Sequence, residues 1–425
     1  MKSNTFLFFA LASALPLFAA DWPQYRGPSQ DGHSPESMAA WPDNGPRPLW
    51  KVATPKGFSS FVVKDGRAFT LIGREVEGAE REVLVALDAS SGKELWSAAF
   101  GTTRYGHSGG NSGTRDNDGG DGPRSTPSVD GDRVYVLTAD LVLACLNSAD
   151  GRELWKHDLI REFKGQNISW KNAASPLIDG NLVFVAGGGS GQALLAFNKN
   201  NGQVVWKGQS DKMTHATPVP ADIHGVRQIV FFTQKGLVSV KADDGRVLWR
   251  HPYRFNVSTA ASPVVAGDIV YCSAGYGVGA TAVQITKNGS GFDVKELWRE
   301  TGDDLANHWS TPVLKDGHLY GMFQFKEYGD GPVKCVEVKT GKVKWAQEGF
   351  GPGNVIMVGG ELVALADDGQ LVRIEATPSG YKEKGRFQAI TGKCWSTPVF
   401  AEGKIFVRST KEGAAFDLSS KLARN

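Results

Sequence analysis

Five residues that could do chemistry together recur in one register: Phe58, Arg124, His215, Trp309 and Trp395. Each stands three positions ahead of the proline in a Ser/Thr-Pro pair, or of the residue in its place. The pairs end at Pro127, Pro176, Pro218, Pro263, Pro312 and Pro398, with Phe61 and Val355 where two prolines are missing. The remaining members of the column are Ala173, Ala260 and Pro352, so the column is large on one side and small on the other. Trp170, Lys171, Asn172, Asn307 and His308 lie just upstream and could join it. Indole faces beside a guanidinium can stack on a flat anionic ring or a sugar. A second reading is purely steric: bulky side chains plug an axial hole. Among the eight histidines only His215 and His308 fall in this register, and no carboxylate partner for either can be read from the chain.

Other chemistry is sparse. Asp116, Asp118 and Asp121, in the long insertion between Gly101 and Pro123, offer oxygen ligands for Ca²⁺. Their spacing is not that of an EF-hand and the closing Glu is missing, so a solvated loop is the competing reading. There is no GxSxG, HExxH or phosphate loop, and no CxxC. Cys145 and Cys335 occupy the same position of two repeats that face each other across a ring, too far apart to bridge. With Cys272 in mid-strand and Cys394 beside Trp395, four buried free thiols are expected.

The elements that must position these residues repeat along the chain. Ala86 to Trp96 reads ALDASSGKELW, and Cys145–Trp155, Ala196–Trp206, Ser239–Trp249 and Cys335–Trp345 repeat it. Lys295–Trp298 is a looser copy behind an altered turn. An alternating apolar run, a polar turn with Gly four residues before Trp, and a second run ending on Trp spell a β-hairpin. Repeats of roughly 40–60 residues point to a propeller or array. The two residues before each Pro position are small throughout, as strands crowding a common axis require. Counting these columns predicts an all-β, eight-bladed β-propeller of four-stranded antiparallel blades. The last repeat ends at Leu418 without its Trp strand, and Pro48–Val52 is an orphan strand at the other end. We expect it to complete the last blade and close the ring, the alternative being an isolated arm. Phe387 is expected in the Trp position of the one repeat that lacks it.

Residues 1–20 carry Lys2, an apolar run and Ala19-Ala20, the pattern of a secretory signal peptide. Residues 21–45, with Trp22, Tyr25 and Trp41, read as an arm packed on the ring, and 46–425 as the propeller. A net charge of +2 gives no reason to expect nucleic acid, and no other stretch is long and apolar enough to span a bilayer. We expect an exported monomer, periplasmic or extracellular.

The AxDxxTGKxxW-like hairpins resemble the tryptophan-docking repeat of pyrroloquinoline quinone (PQQ) propellers over residues 46–418. Asp21–Pro28 (DWPQYRGP), Gly122–Pro127 (GPRSTP) and Glu375–Phe387 are similar to exported PQQ-like repeat proteins of the planctomycete and verrucomicrobial type. More distant resemblances are to quinoprotein alcohol dehydrogenases and to a lipoprotein of the outer-membrane β-barrel assembly machinery. The dehydrogenase resemblance implies PQQ, held between a Trp and a vicinal Cys pair beside Ca²⁺. This chain has no Cys-Cys pair, and Ala174 and Ala261 stand where carboxylates would flank the mouth. PQQ and Ca²⁺ are therefore disfavoured and no cofactor is assigned. The expectation is a binding or scaffold module, taking a protein partner or a small planar or sugar ligand at the channel mouth. A PQQ- and Ca²⁺-dependent alcohol or sugar dehydrogenase is the alternative, and a lyase or other carbohydrate-active enzyme on the same scaffold is a third.

Overall fold

Each Ser/Thr-Pro segment feeds a short innermost strand, because Pro ends the crowded approach to the axis and apolar residues follow it. In the computed structural model, which describes residues 20–42, 44–105, 122–255, 259–324 and 331–419, these strands are Val62–Lys64, Ser128–Asp130, Leu177–Asp179, Val219–Ile223, Val264–Ala266, Val313–Lys315, Asn354–Val358 and Val399–Ala401. Each opens a four-stranded antiparallel sheet, giving the eight blades predicted from the repeat. The first blade continues through Arg67–Val76, Ala79–Asp88 and Glu94–Thr102. The orphan strand Pro48–Ala53 pairs antiparallel with Glu412–Asp417 and completes the eighth blade, Trp50 opposite Ala415.

The small polar column does more than fit the axis. Inner strands of neighbouring blades share no ladder, so their N–H groups need other acceptors. Ser60 N–H donates to Thr126 Oγ1 at 3.0 Å, Thr126 N–H to Ser175 Oγ at 2.9 Å, and Ser175 N–H to Thr217 Oγ1 at 2.9 Å. Ser262 N–H reaches Thr311 Oγ1, and Thr397 N–H reaches Ser60 Oγ across the closure. Hydroxyls thus tie five of the eight blade junctions, and at the seventh blade Asn354 instead donates its amide to Trp395 O.

At the rim, the turn glycines and the tryptophans form pairs between blades. Gly92, Gly151, Gly202, Gly245 and Gly341 all hold φ near +70°, and a Cβ on any of them would lie within about 3.0 Å of the preceding blade's indole. The indole N–H then donates to a turn carbonyl of that next blade: Trp50 to Ala89, Trp96 to Ser148, Trp155 to Lys199, Trp206 to Ala242. Trp249 is the exception. The fifth blade's hairpin is lengthened to Gly279–Asn288 and Gly291–Glu300, which carries the turn region into a ladder. Trp249 instead donates to Gln228 Oε1 of its own blade at 2.6 Å.

The seventh blade departs from the expected substitution. In every other blade the Trp directly follows a bulge in the outer strand; here the residue after the bulge is Gly385, opposite Arg373. Phe387 comes two residues later, opposite Leu371, and packs on Gly45. Trp41 from the arm covers Gly385, its ring 5.2 Å from Phe387 in a T-shape and 5.7 Å from the Arg373 guanidinium. Two aromatic side chains, one brought from outside the blade, replace one Trp.

The arm seals one end of the channel. Trp22 bridges Val63, Pro23 O accepts from Val129 N–H, and Gln24 Oε1 accepts from Ile178 N–H. His33–Ser34 add a parallel strand to Met357–Val358 of the seventh blade. Arg26, 3% exposed, reaches up the channel to donate to Thr311 O at 2.7 Å and Pro312 O at 2.9 Å. The arm's partners lie on the inner strands, or, for Arg26, on the two residues that lead into one, past the Phe58–Trp395 column, so the arm occupies the end away from the mouth.

Candidate functional site

The mouth residues come from the connections that enter the inner strands, and the ring geometry brings them together. Phe58 stacks on Trp395 with centroids 4.9 Å apart, and Trp395 lies on Trp309 at 4.3 Å and 30°. Trp309 meets His308 at 4.9 Å, and His308 meets Tyr276 edge-on at 4.7 Å. Blades six and eight can touch because blade seven contributes only Pro352, whose carbonyl accepts from Trp309 Nε1–H at 2.9 Å. The small position is what admits the stack.

Arg124 sits beside this stack, its guanidinium 6.0 Å from the Phe58 ring and 5.8 Å from Tyr105. It donates to Gly122 O and to Trp170 O at 3.2 Å. Trp170 and Lys171 both adopt left-handed backbone, φ +65° and +60°, a conformation that costs roughly 1–2 kcal/mol per non-glycine residue. Their neighbours hold it: Lys171 pairs with Asp140 at 2.9 Å, and His215 Nε2 contacts Lys171 O at 2.6 Å. The Trp170 ring meets His215 in a T-shape at 6.5 Å. Burial pushes the His215 imidazole down to about 4, with the Arg124 charge adding to the effect, and burial takes His308 to about 3. Both rings are neutral at pH 7, so neither stores a proton for acid catalysis there.

All eight predicted mouth residues, Phe58, Arg124, Trp170, Lys171, His215, His308, Trp309 and Trp395, thus lie in contacts that chain round one end of the channel. Asn172 and Asn307 do not belong with them. Both are buried and spend their amides on backbone carbonyls, Asn172 on Leu137, Thr138 and Ala174, and Asn307 on Met322. Asp116, Asp118 and Asp121 lie outside the described residues. Among the described residues no three His, Cys, Asp or Glu side chains gather as a metal site. The four cysteines are free and buried, and desolvation raises every thiol, Cys335 to about 11.

The sequence did not point to Lys393, whose ammonium lies 4.4 Å from the Trp395 ring. Its place two residues before Trp395 was the available signal. Nor did it point to Glu82, 1% exposed on the first blade, which accepts from Tyr105 Oη–H at 2.5 Å and from Ala139 N–H.

Eight closed sheets docked by tryptophan, with one end covered by an arm and the other rimmed by aromatic and cationic groups, define a PQQ-like β-propeller. The chain belongs to the family described as outer membrane protein assembly factor BamB, whose profile matches residues 80–347. It is 24% identical over 259 residues to the outer membrane protein assembly factor BamB of Shewanella oneidensis, covering 58% of this chain and 62% of the relative. The chain thus spans about three-fifths of the length of the curated relatives it matches. Among solved structures, BamB from Moraxella catarrhalis superposes with a TM-score of 0.61 at 14% identity, over 88% of this chain and 98% of that one. The quinohemoprotein alcohol dehydrogenase from Comamonas testosteroni gives 0.68 at 13% identity, over 94% and 80%. At these identities the structural likenesses establish the fold.

Proposed function

We propose that this chain is an exported, non-enzymatic binding or scaffold module of the cell envelope, and that its working surface is the channel mouth, which engages a protein partner. The observation that carries the reading is the self-stacked mouth. A planar ligand inserted between two rings needs about 7 Å between them, twice the carbon contact distance. Trp309 and Trp395 are 4.3 Å apart, so the rings form a surface and leave no slot. A surface of this kind, with Trp170 and Arg124 around it, suits a side chain or peptide laid across it. Its relatives are named as assembly factors, which accords with a protein partner.

PQQ does not fit these residues. The place where it would stack is taken by the mutual contact of Trp309 and Trp395, and the cysteines sit apart inside blade strands and on a buried connection. The direct test is calorimetric titration of the mature protein with PQQ, with and without Ca²⁺. No heat is expected at any accessible concentration, whereas Ca²⁺-dependent micromolar binding lost in Trp395→Ala would restore the dehydrogenase reading. In parallel, envelope proteins retained by immobilised wild-type chain are compared with those retained by Trp170→Ala and Arg124→Ala. A partner held equally by all three places the working surface elsewhere.

A further inference from the structure

The buried carboxyl of Glu82 lies behind the mouth and is wired to it. Its oxygens accept from Tyr105 Oη–H at 2.5 Å and from the Ala139 amide at 3.1 Å. Tyr105, itself buried, carries the Arg124 guanidinium 5.8 Å from its ring centroid. Arg124 in turn contacts Phe58 of the aromatic stack and donates to the carbonyl of Trp170. Ala139 is followed by Asp140, which pairs with Lys171, so the second arm of the wiring also ends in the strained Trp170-Lys171 turn. Both routes from one carboxyl converge on one displayed indole.

We propose that Glu82 is a proton-operated control on the mouth: its ionisation state sets how firmly Tyr105, Arg124 and the Trp170-Lys171 turn are held. As a carboxylate, Glu82 draws the Tyr105 hydroxyl and the Ala139 amide inward through charge-assisted bonds and attracts Arg124. Once protonated, it keeps a carbonyl acceptor but loses the charge that strengthens both bonds and attracts Arg124, so the tyrosine and the guanidinium beside it are held less firmly. The charged and titratable groups around it are Tyr105, Arg124 and Asp140. On its own strand Glu80 is taken up by Lys56 and Arg104. Desolvation, reinforced by Asp140 and offset by the Tyr105 and Ala139 hydrogen bonds and by Arg124, pushes the Glu82 carboxyl up to about 7, inside the range a cell envelope can sample. This control operates whatever the mouth binds, so it stands or falls separately from the partner.

The test is a pH titration of intrinsic tryptophan fluorescence of the full chain, from pH 5 to 9. A single-proton step near pH 7 is expected in the wild type. It is expected to vanish in Glu82→Gln, which keeps an acceptor for both donors, and to lose at least half of its amplitude in Trp170→Phe. Tyr105→Phe removes the hydrogen bond that favours the carboxylate, so its midpoint moves upward, by about half a pH unit or more. That variant decides the matter should Glu82→Gln not fold. No step in the wild type, the same step in Glu82→Gln, or an unmoved midpoint in Tyr105→Phe overturns the proposal.

Discussion

The guanidinium of Arg408, on the second strand of the last blade, donates to the carbonyl oxygen of Leu71, on the first blade, at 2.6 Å. The same group donates to Ser59 O, Thr70 Oγ1, Thr54 O and Lys56 O, with the side chain 1% exposed. One cation therefore satisfies acceptors on both the first blade and the segment that follows the closing strand. Arg408→Ala strands those acceptors where the ring closes, and a loss of about 3–5 kcal/mol is expected from the buried polar groups left behind. Urea unfolding measures it. A loss below about 1 kcal/mol would mean that the strand Pro48–Ala53 closes the ring unaided.

The docking of turn glycines under indoles separates two costs that usually travel together. Gly245 and Gly225 hold similar positive φ, +70° and +74°, but a Cβ at Gly245 meets Trp206 at 2.6 Å while one at Gly225 meets nothing within 4 Å. Gly225→Ala should cost about 1 kcal/mol, the backbone term alone. Gly245→Ala should cost about 2–4 kcal/mol, because overpacking between blades adds to it. Equal costs for the two in thermal denaturation would show that the indole shifts freely.

Glu82 makes stability depend on pH with a definite sign. Its folded pKa, about 7, lies above the ordinary 4.5, so the folded state holds the proton more tightly than the unfolded chain. Its contribution is full below pH 4.5 and is lost as pH rises through about 7, on the order of 3 kcal/mol in all. Glu82→Gln should flatten the urea midpoint between pH 4.5 and 7 relative to wild type. An unchanged slope there would assign the pH dependence to other groups.

Arg26 anchors the arm in the channel without a carboxylate, through Thr311 O, Pro312 O, Asp31 O and Gln30 O. Arg26→Met leaves these acceptors buried and unpaired, and a loss of about 2–4 kcal/mol is expected. Because the arm's own contacts fail first, limited proteolysis should cut between residues 22 and 42 while the ring stays intact. Resistance equal to wild type would show that Trp22 and the His33–Ser34 strand suffice.

Much of this architecture is written in the chain because it repeats. A blade is a local unit, and Gly four residues before Trp reports a turn and a docking contact at once. Six Ser/Thr-Pro copies and two aligned without the proline gave the blade count, and the column ahead of them, with its near neighbours, named eight side chains that the ring brings into linked contacts. What the pattern could not carry is anything between copies. The small polar column reads as sparse space at an axis, yet it is a hydrogen-bonded belt, because only assembled blades show which N–H lacks a ladder partner. The seventh blade took Trp41 from the arm, a contact between residues far apart in sequence that no repeat records.

The sequence by itself determined the fold, since tryptophan, glycine and proline at fixed spacing leave a chain of hairpins few ways to bury its apolar faces. The tertiary structure decided the character of the mouth. Whether Trp309 and Trp395 frame a slot or lean on each other depends on a few ångströms across a blade that contributes only Pro352. Likewise Glu82 looks like any strand residue until the second blade and the connection leading to it close over it, and desolvation then pushes its carboxyl up to about 7.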